Sequence, residues 1–112
     1  KGLFVKQVLS KISNNEGGQI YSQTLRDHYK KTYNISIGLY TYVGIFSPSS
    51  IANGTSIGRY CSIAPNIHIF SRNHPYKRIS QHSFFYNPAL SFVEKDNIKT
   101  TSLMISHDVW IG

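Results

Sequence analysis

Every sixth residue from Leu39 to Ile69 is aliphatic: Leu39, Ile45, Ile51, Ile57, Ile63 and Ile69. With Ile, Val and Leu near a fifth of the chain, six hits in one frame arise by chance roughly once in ten thousand tries. The residues two places earlier, Ile37, Val43, Ser49, Thr55, Cys61 and Ile67, form a second and smaller column. Residues two apart share a face of a strand, so both columns point the same way. Turn material recurs between them, at Ser47-Pro48-Ser49-Ser50, Asn53-Gly54 and Ala64-Pro65-Asn66. The pattern describes short parallel strands separated by tight turns. Three hexads per turn of chain would stack residues eighteen apart, placing Leu39 under Ile57, Ile45 under Ile63 and Ile51 under Ile69.

Two short helices are expected before the repeats. Leu3, Phe4, Val8, Leu9 and Ile12 make a helical stripe opposite Lys1, Lys6 and Lys11. Ser22 is placed to cap a second helix, with Leu25, His28 and Tyr29 on one face and Arg26, Lys30 and Lys31 elsewhere. The segment Asn14-Asn15-Glu16-Gly17-Gly18 between them reads as a loop. From about Arg72 the hexads lapse, and they return with Leu103, Ile105, Val109 and Ile111. An excursion of this length on a rigid scaffold is where function tends to sit. The organisation is therefore a helical cap over 1–34 and a repeat region over 35–112, with an excursion loop at about 72–102. The sequence begins on lysine and stops in mid-repeat at Ile111-Gly112, which points to a fragment without its later coils.

The 112 residues suit one domain, and the low charged content of 15% argues against disorder. Cys61 is the only cysteine, which excludes an internal disulfide framework and fits a reducing compartment. No apolar run approaches the ~20 residues of a membrane span, and the opening segment is too broken by lysine for a secretory leader. A cytoplasmic location without an integral membrane segment is expected. The net charge of +7 raises the question of nucleic acid. The basic residues are scattered, only Lys30-Lys31 and Lys77-Arg78 are adjacent, and no groove-reading motif surrounds them. No nucleic-acid partner is expected; the positive field suits an anionic ligand such as a coenzyme phosphate or a glycolipid intermediate.

The blocks Ile57-Gly58-Arg59-Tyr60-Cys61-Ser62-Ile63-Ala64 and Val109-Trp110-Ile111-Gly112 resemble the signature of hexapeptide-repeat acyltransferases. Ile37-Gly38 and Val43-Gly44 are further aliphatic–glycine pairs, in a frame shifted by two. More narrowly, Asn73-His74-Pro75, Ser83-Phe84-Phe85-Tyr86-Asn87-Pro88 and Asp108-Val109-Trp110-Ile111-Gly112 resemble the xenobiotic and polysaccharide O-acetyltransferase branch. The resemblance covers about residues 33 to 112. It implies a mainly β fold, a left-handed parallel β-helix with an N-terminal helical cap; the handedness comes from the family alone. It also implies acetyl-CoA as co-substrate and a homotrimer with active sites between subunits. The later coils that hold the pantetheine and adenine parts of the coenzyme in relatives are missing from this sequence.

O-acetylation needs a base for the acceptor's proton and donors for the oxyanion. Histidine suits the base role at neutral pH. His74 matches the histidine of the family's Asn-His motif and is the expected general base, with His107, beside Asp108, as runner-up. Asn73 orients either the loop or the acceptor. His68 reads as a surface residue, and His82 and His28 have no motif behind them. No two histidines show a zinc-ligand spacing, so no metal is expected. Trp110, by resemblance, lies against the thioester end of the coenzyme; the plainer reading is an outward aromatic in a subunit contact. Tyr40, Tyr42, Phe84, Phe85 and Tyr86 are candidates for the wall of the acceptor site, and some of them are equally suited to packing the excursion. Arg59 and Tyr60 read as solvated surface, and Cys61 as a small core residue without a partner base. The leading expectation is an acetyl-CoA-dependent O-acetyltransferase acting on a saccharide of a surface polysaccharide or its precursor. An antibiotic O-acetyltransferase of the streptogramin or chloramphenicol type would use the same site. A non-catalytic or truncated β-helical module is the third reading.

Overall fold

Ser22 starts a helix because its hydroxyl accepts the Leu25 N–H at 3.1 Å, satisfying one of the donors that a helix start leaves unpaired. In the computed structural model, which describes residues 2–44, 46–47 and 49–112, this helix is α2, Gln23–Tyr33. It follows α1, Gly2–Asn15. The hexad position Ile45, the turn residue Pro48 and Lys1 lie outside the described residues. Glu16 completes the start of α2. Its carboxylate accepts from the Ser22 hydroxyl at 2.6 Å, from the Thr24 N–H at 3.1 Å and from the Thr24 hydroxyl. A carboxylate at this end also meets the positive pole of the helix. The helix ends on Asn34 in the left-handed conformation, with φ of 54°, and Lys30 and Lys31 occupy its last turn.

Arg26 departs from the expected helical face. It is 3% exposed, beside the buried Tyr29. Its Nε donates to the Gly38 carbonyl at 3.1 Å. One terminal nitrogen donates to Gln19 and Ser22, both at 2.7 Å, and the other to Thr41 at 3.0 Å and Ile20 at 3.3 Å. Hydrophobic periodicity places an arginine outside, but five carbonyls around one guanidinium satisfy its five donors and make burial tolerable. Burial holds its pKa below the ordinary arginine value.

The strands are β1 Ser36–Ile37, β2 Tyr42–Val43, β3 Ser56–Ile57, β4 Ser62–Ile63, β5 Met104–Ile105 and β6 Trp110–Ile111. They form two three-stranded parallel sheets, ordered β1-β3-β5 and β2-β4-β6. These findings correct the expected fold. Helices of 14 and 11 residues outweigh strands of 2 residues each, and neither sheet closes. The chain is not a mainly β left-handed β-helix. A six-residue period fixes where aliphatic residues recur, but not how much backbone enters a ladder, and here most of each repeat is turn.

The register is also corrected. Ile37 pairs with Ile57 and Val43 with Ile63, twenty apart, and only the isolated bridge Ile51↔Ile69 keeps the spacing of eighteen. Leu39 is therefore not under Ile57. The chain takes eight steps from Val43 to Ile51 but six from Ile63 to Ile69, so the turn closed by Ser50 N–H to the Ser47 carbonyl absorbs the difference. The returning segment stacks as Ile57↔Ile105 and Ile63↔Ile111. Ile35, Ile37, Ile51, Ile57, Cys61, Ile63 and Ile69 form the buried core with Tyr29. Glycine is required where the rows come closest: a Cβ at Gly38 would lie 2.6 Å from the Gly58 carbonyl carbon, and one at Gly58 2.7 Å from that of Ser106.

The chain forms two compact units. The first runs to Ile69 and resumes over Ser102–Gly112; the second is Phe70–Thr101. The second unit has no strand among its described residues and contains two short 3₁₀ turns, Ser83–Phe85 and Pro88–Leu90. It is braced by an Arg72–Asp96 ion pair at 2.6 Å and by Arg78, which donates to the Phe85 carbonyl at 2.9 Å and to Asn97 at 2.7 Å.

Two outcomes follow from these contacts. Arg26→Met, which removes the donors and keeps the bulk, is expected to lower stability in urea titration by about 3 kcal/mol, with Arg26→Lys recovering only part. The hydrogen bonds from Ser22, then Thr24, hold the Glu16 carboxyl below its ordinary value of 4.5. A depressed carboxyl contributes stability above its unfolded pKa that is lost as pH falls through the folded value. Thermal melts should therefore show an acid-side loss below pH ~4.5 that Glu16→Gln flattens.

Candidate functional site

Asn73 begins the site by fixing the backbone of its neighbour. Its side-chain oxygen accepts the His74 N–H at 2.8 Å, and the His74 carbonyl accepts the Tyr76 N–H at 2.9 Å. Asn73 thus orients the loop in this structure. The exposed His74 ring places Nδ1 3.4 Å from the Gln81 carbonyl oxygen. The half-buried Tyr86 meets the ring edge-on, with centroids 6.3 Å apart and planes at 76°. A carbonyl oxygen only accepts, so a hydrogen bond across this contact puts the hydrogen on Nδ1, the tautomer that leaves the Nε2 lone pair to take a proton.

The other histidines with backbone donors are arranged the opposite way. His107 Nδ1 accepts the Arg59 N–H at 2.9 Å, and His82 Nδ1 accepts the Phe84 N–H at 3.2 Å. In each neutral ring the hydrogen then lies on Nε2, and the lone pair is already used. This geometry separates His74 from the runner-up His107. Sequence cannot show it, because Gln81 acts through its backbone and any residue there presents the same carbonyl.

The second unit also holds Phe84 and Phe85. Phe84 packs on His82 at 4.3 Å and on Phe92 at 4.8 Å, and it remains 41% exposed. Phe85 is half exposed, and its carbonyl is the one that Arg78 holds. His74 and Tyr86 are in ring contact, whereas Phe84 joins a separate aromatic group.

Trp110, Tyr42 and Tyr40 belong to the first unit. The register puts Tyr42, Ser62 and Trp110 in one row across β2, β4 and β6. Two ladder spacings separate the outer pair by roughly 9.5 Å, with a small serine between them. Trp110 is 77% exposed, and a side chain at Gly112 would meet its indole at 2.5 Å. Tyr40 is apart from this row. It stacks on Tyr60 at 4.9 Å and 20°, meets Tyr21 edge-on at 6.0 Å, and its N–H bonds the Ile20 carbonyl at 3.0 Å. Tyr40 and Tyr60 have φ of 67° and 63°, a left-handed conformation that an aromatic residue adopts only where its surroundings hold it.

A cavity of about 690 Å³ lies elsewhere in the first unit, between α1 and α2, with Leu9, Leu25, Tyr29 and Phe46 among its walls. It contains none of the expected site residues. Burial, then the nearby Tyr33, pushes the Tyr29 phenol up to about 12, so it lines the cavity as a neutral hydroxyl. Among the described residues no group of three or more His, Cys, Asp or Glu side chains is arranged to hold a metal. Cys61 is buried, and its thiol lies 3.1 Å from the Ser106 carbonyl.

The tautomers give a direct check. Long-range ¹⁵N–¹H correlation spectra of the neutral rings should show Nδ1–H for His74 and Nε2–H for His82 and His107. No known protein family, characterised protein or solved structure matches the chain.

Proposed function

We propose that the chain is an acetyl-CoA-dependent O-acetyltransferase that acts on a saccharide hydroxyl with His74 as general base. The observation that carries this reading is the His74 Nδ1 contact with the Gln81 carbonyl, which leaves Nε2 able to accept a proton at an exposed position. The acceptor hydroxyl loses its proton to Nε2 as its oxygen bonds to the thioester carbonyl carbon. The carbon–sulfur bond then breaks, and the same proton passes to the departing thiolate. An acetyl ester and free coenzyme thiol result.

Tyr86 limits the ring's rotation by its edge contact, and Asn73 fixes the backbone from which the ring hangs. Exposed Trp110 offers a flat apolar face for the thioester end of the coenzyme, and Tyr42 across Ser62 offers a second. On this reading the protein works as a homotrimer, with His74 of one subunit meeting coenzyme held partly by its neighbour.

The test is acetyl-CoA turnover, followed as thiol release, over a panel of saccharides and hydroxylated antibiotics. Acceptor-dependent release is expected with a saccharide, and His74→Ala should lower it by about 10²–10⁴-fold. His107→Ala should leave most of it. Release that survives His74→Ala removes His74 as base, and turnover confined to the antibiotics replaces the saccharide as acceptor.

A further inference from the structure

The side of α1 that turns toward α2 leaves space between the two helices. Leu9 and Ser13 of α1 and Leu25 and Tyr29 of α2 line the cavity of about 690 Å³, and Ser13 is 6% exposed. Lys6 precedes Ser13 by seven residues, nearly two full helical turns, so the two side chains leave α1 within about 20° of each other. Lys6 is accordingly a wall of the same cavity. The walls on α1 extend from Val5 to Asn14 and those on α2 from Leu25 to Tyr33. At about 1.5 Å per residue each side runs for roughly 12–14 Å, which makes the cavity a trough along the helix pair. Its volume is in the range of small-molecule sites.

Leu9, Leu25, Tyr29 and Phe46 give the trough apolar sides, and the Tyr29 and Phe46 rings meet edge-on at 5.4 Å. Lys6 is the fixed charge among the described walls, none of which is Asp or Glu. The carboxylates nearest in sequence are engaged elsewhere: Glu16 accepts from Ser22 and Thr24, and Asp27 from the Gln23 amide at 2.9 Å. The Tyr29 phenol, kept neutral by burial, adds no negative charge. His28 adds a ring nitrogen, 3.4 Å from the Thr32 hydroxyl. A cation on an apolar trough with no acid to offset it is complementary to an anion with an apolar body. We infer that the trough binds an alkyl monocarboxylate, its chain lying between α1 and α2 and its carboxylate meeting the Lys6 ammonium. One ammonium balances one carboxylate, whereas a phosphate head brings close to a second charge with no second fixed cation to meet it. The inference is independent of the acetyltransferase reading, since none of its residues belongs to the proposed catalytic site.

The experiment is isothermal titration of the full chain with decanoate, decanol and decyl phosphate, each kept below the concentration at which it aggregates. Decanoate is expected to bind one to one and about tenfold more tightly than decanol, the lower end of what a hydrogen bond to a charged group is worth. Lys6→Met, which keeps the aliphatic stem, should weaken decanoate by about the same factor and leave decanol unchanged. Lys6 is exposed, so an unchanged thermal melt will show that this variant keeps the fold. Leu9→Trp, which fills the trough, should abolish binding of both; if its melt shows that it does not fold, Lys6→Met carries the test alone. Equal affinity for decanoate and decanol, no saturable binding of decanoate, or a preference that survives Lys6→Met overturns the inference. So does decanoate binding that persists in a folded Leu9→Trp, which places the ligand elsewhere, or tighter binding of decyl phosphate, which makes the head a phosphate.

Discussion

A guanidinium withdrawn from water without a carboxylate beside it must find other acceptors for five N–H groups, and in this chain it finds them in backbone. Arg26 reaches Gln19 and Ile20 in the connection between the helices, Ser22 at the start of its own helix, and Gly38 and Thr41 around the turn that joins β1 to β2. Two of these contacts, to the Ser22 and Thr41 carbonyls, are fully buried, where an acceptor without a partner is costly. One side chain therefore fixes the angle at which the helices leave and the position at which the first sheet begins. No hydrophobic contact specifies the geometry as closely, because burial has no direction and a fork of five donors does.

The sheets above that anchor are built almost entirely of corners. Strands of two residues supply few ladder bonds, so the stack depends on the aliphatic rows inside it and on bonds made by side chains at the turns. The Thr41 hydroxyl shows how. It donates to the Gly58 carbonyl at 2.7 Å and accepts the Cys61 N–H at 3.0 Å, so one buried side chain links successive rows. Tyr40, Tyr60 and Asp108 take the left-handed conformation in successive rows. Such conformations persist where surrounding structure over-determines them. The ring stack of Tyr40 on Tyr60 is part of that determination.

The unit Phe70–Thr101 is held differently. Its braces are polar and exposed: Arg72 with Asp96, and Arg78 with the Phe85 carbonyl and Asn97. Exposed ion pairs contribute little stability, so this segment is expected to open more readily than the isoleucine core. A histidine on such a segment gains accessibility and depends on local contacts for its orientation. For His74 these are the Gln81 carbonyl and the Tyr86 edge.

Some of this was legible in the residues alone. Ser22 could be read as a helix cap because a hydroxyl before a helical pattern has one obvious use. The recurring isoleucines announced stacked rows, and Ile51 over Ile69 follows directly from their spacing. What failed was register and extent. The extra residues between Val43 and Ile51 shifted two rows by two places, and the mainly β helix gave way to short strands among turns and helices. Periodicity reports which positions face inward, not where a turn takes up slack. The burial of Arg26 was hidden for a related reason: polarity predicts exposure unless the acceptors are known, and here every acceptor is a carbonyl that any sequence possesses. The same holds for His74. Its identity and its neighbours in sequence marked it as a candidate, but its tautomer depends on a backbone oxygen seven residues away, which only the tertiary structure brings to the ring. Side-chain chemistry is written residue by residue, whereas the positions of main-chain donors and acceptors are set by the fold.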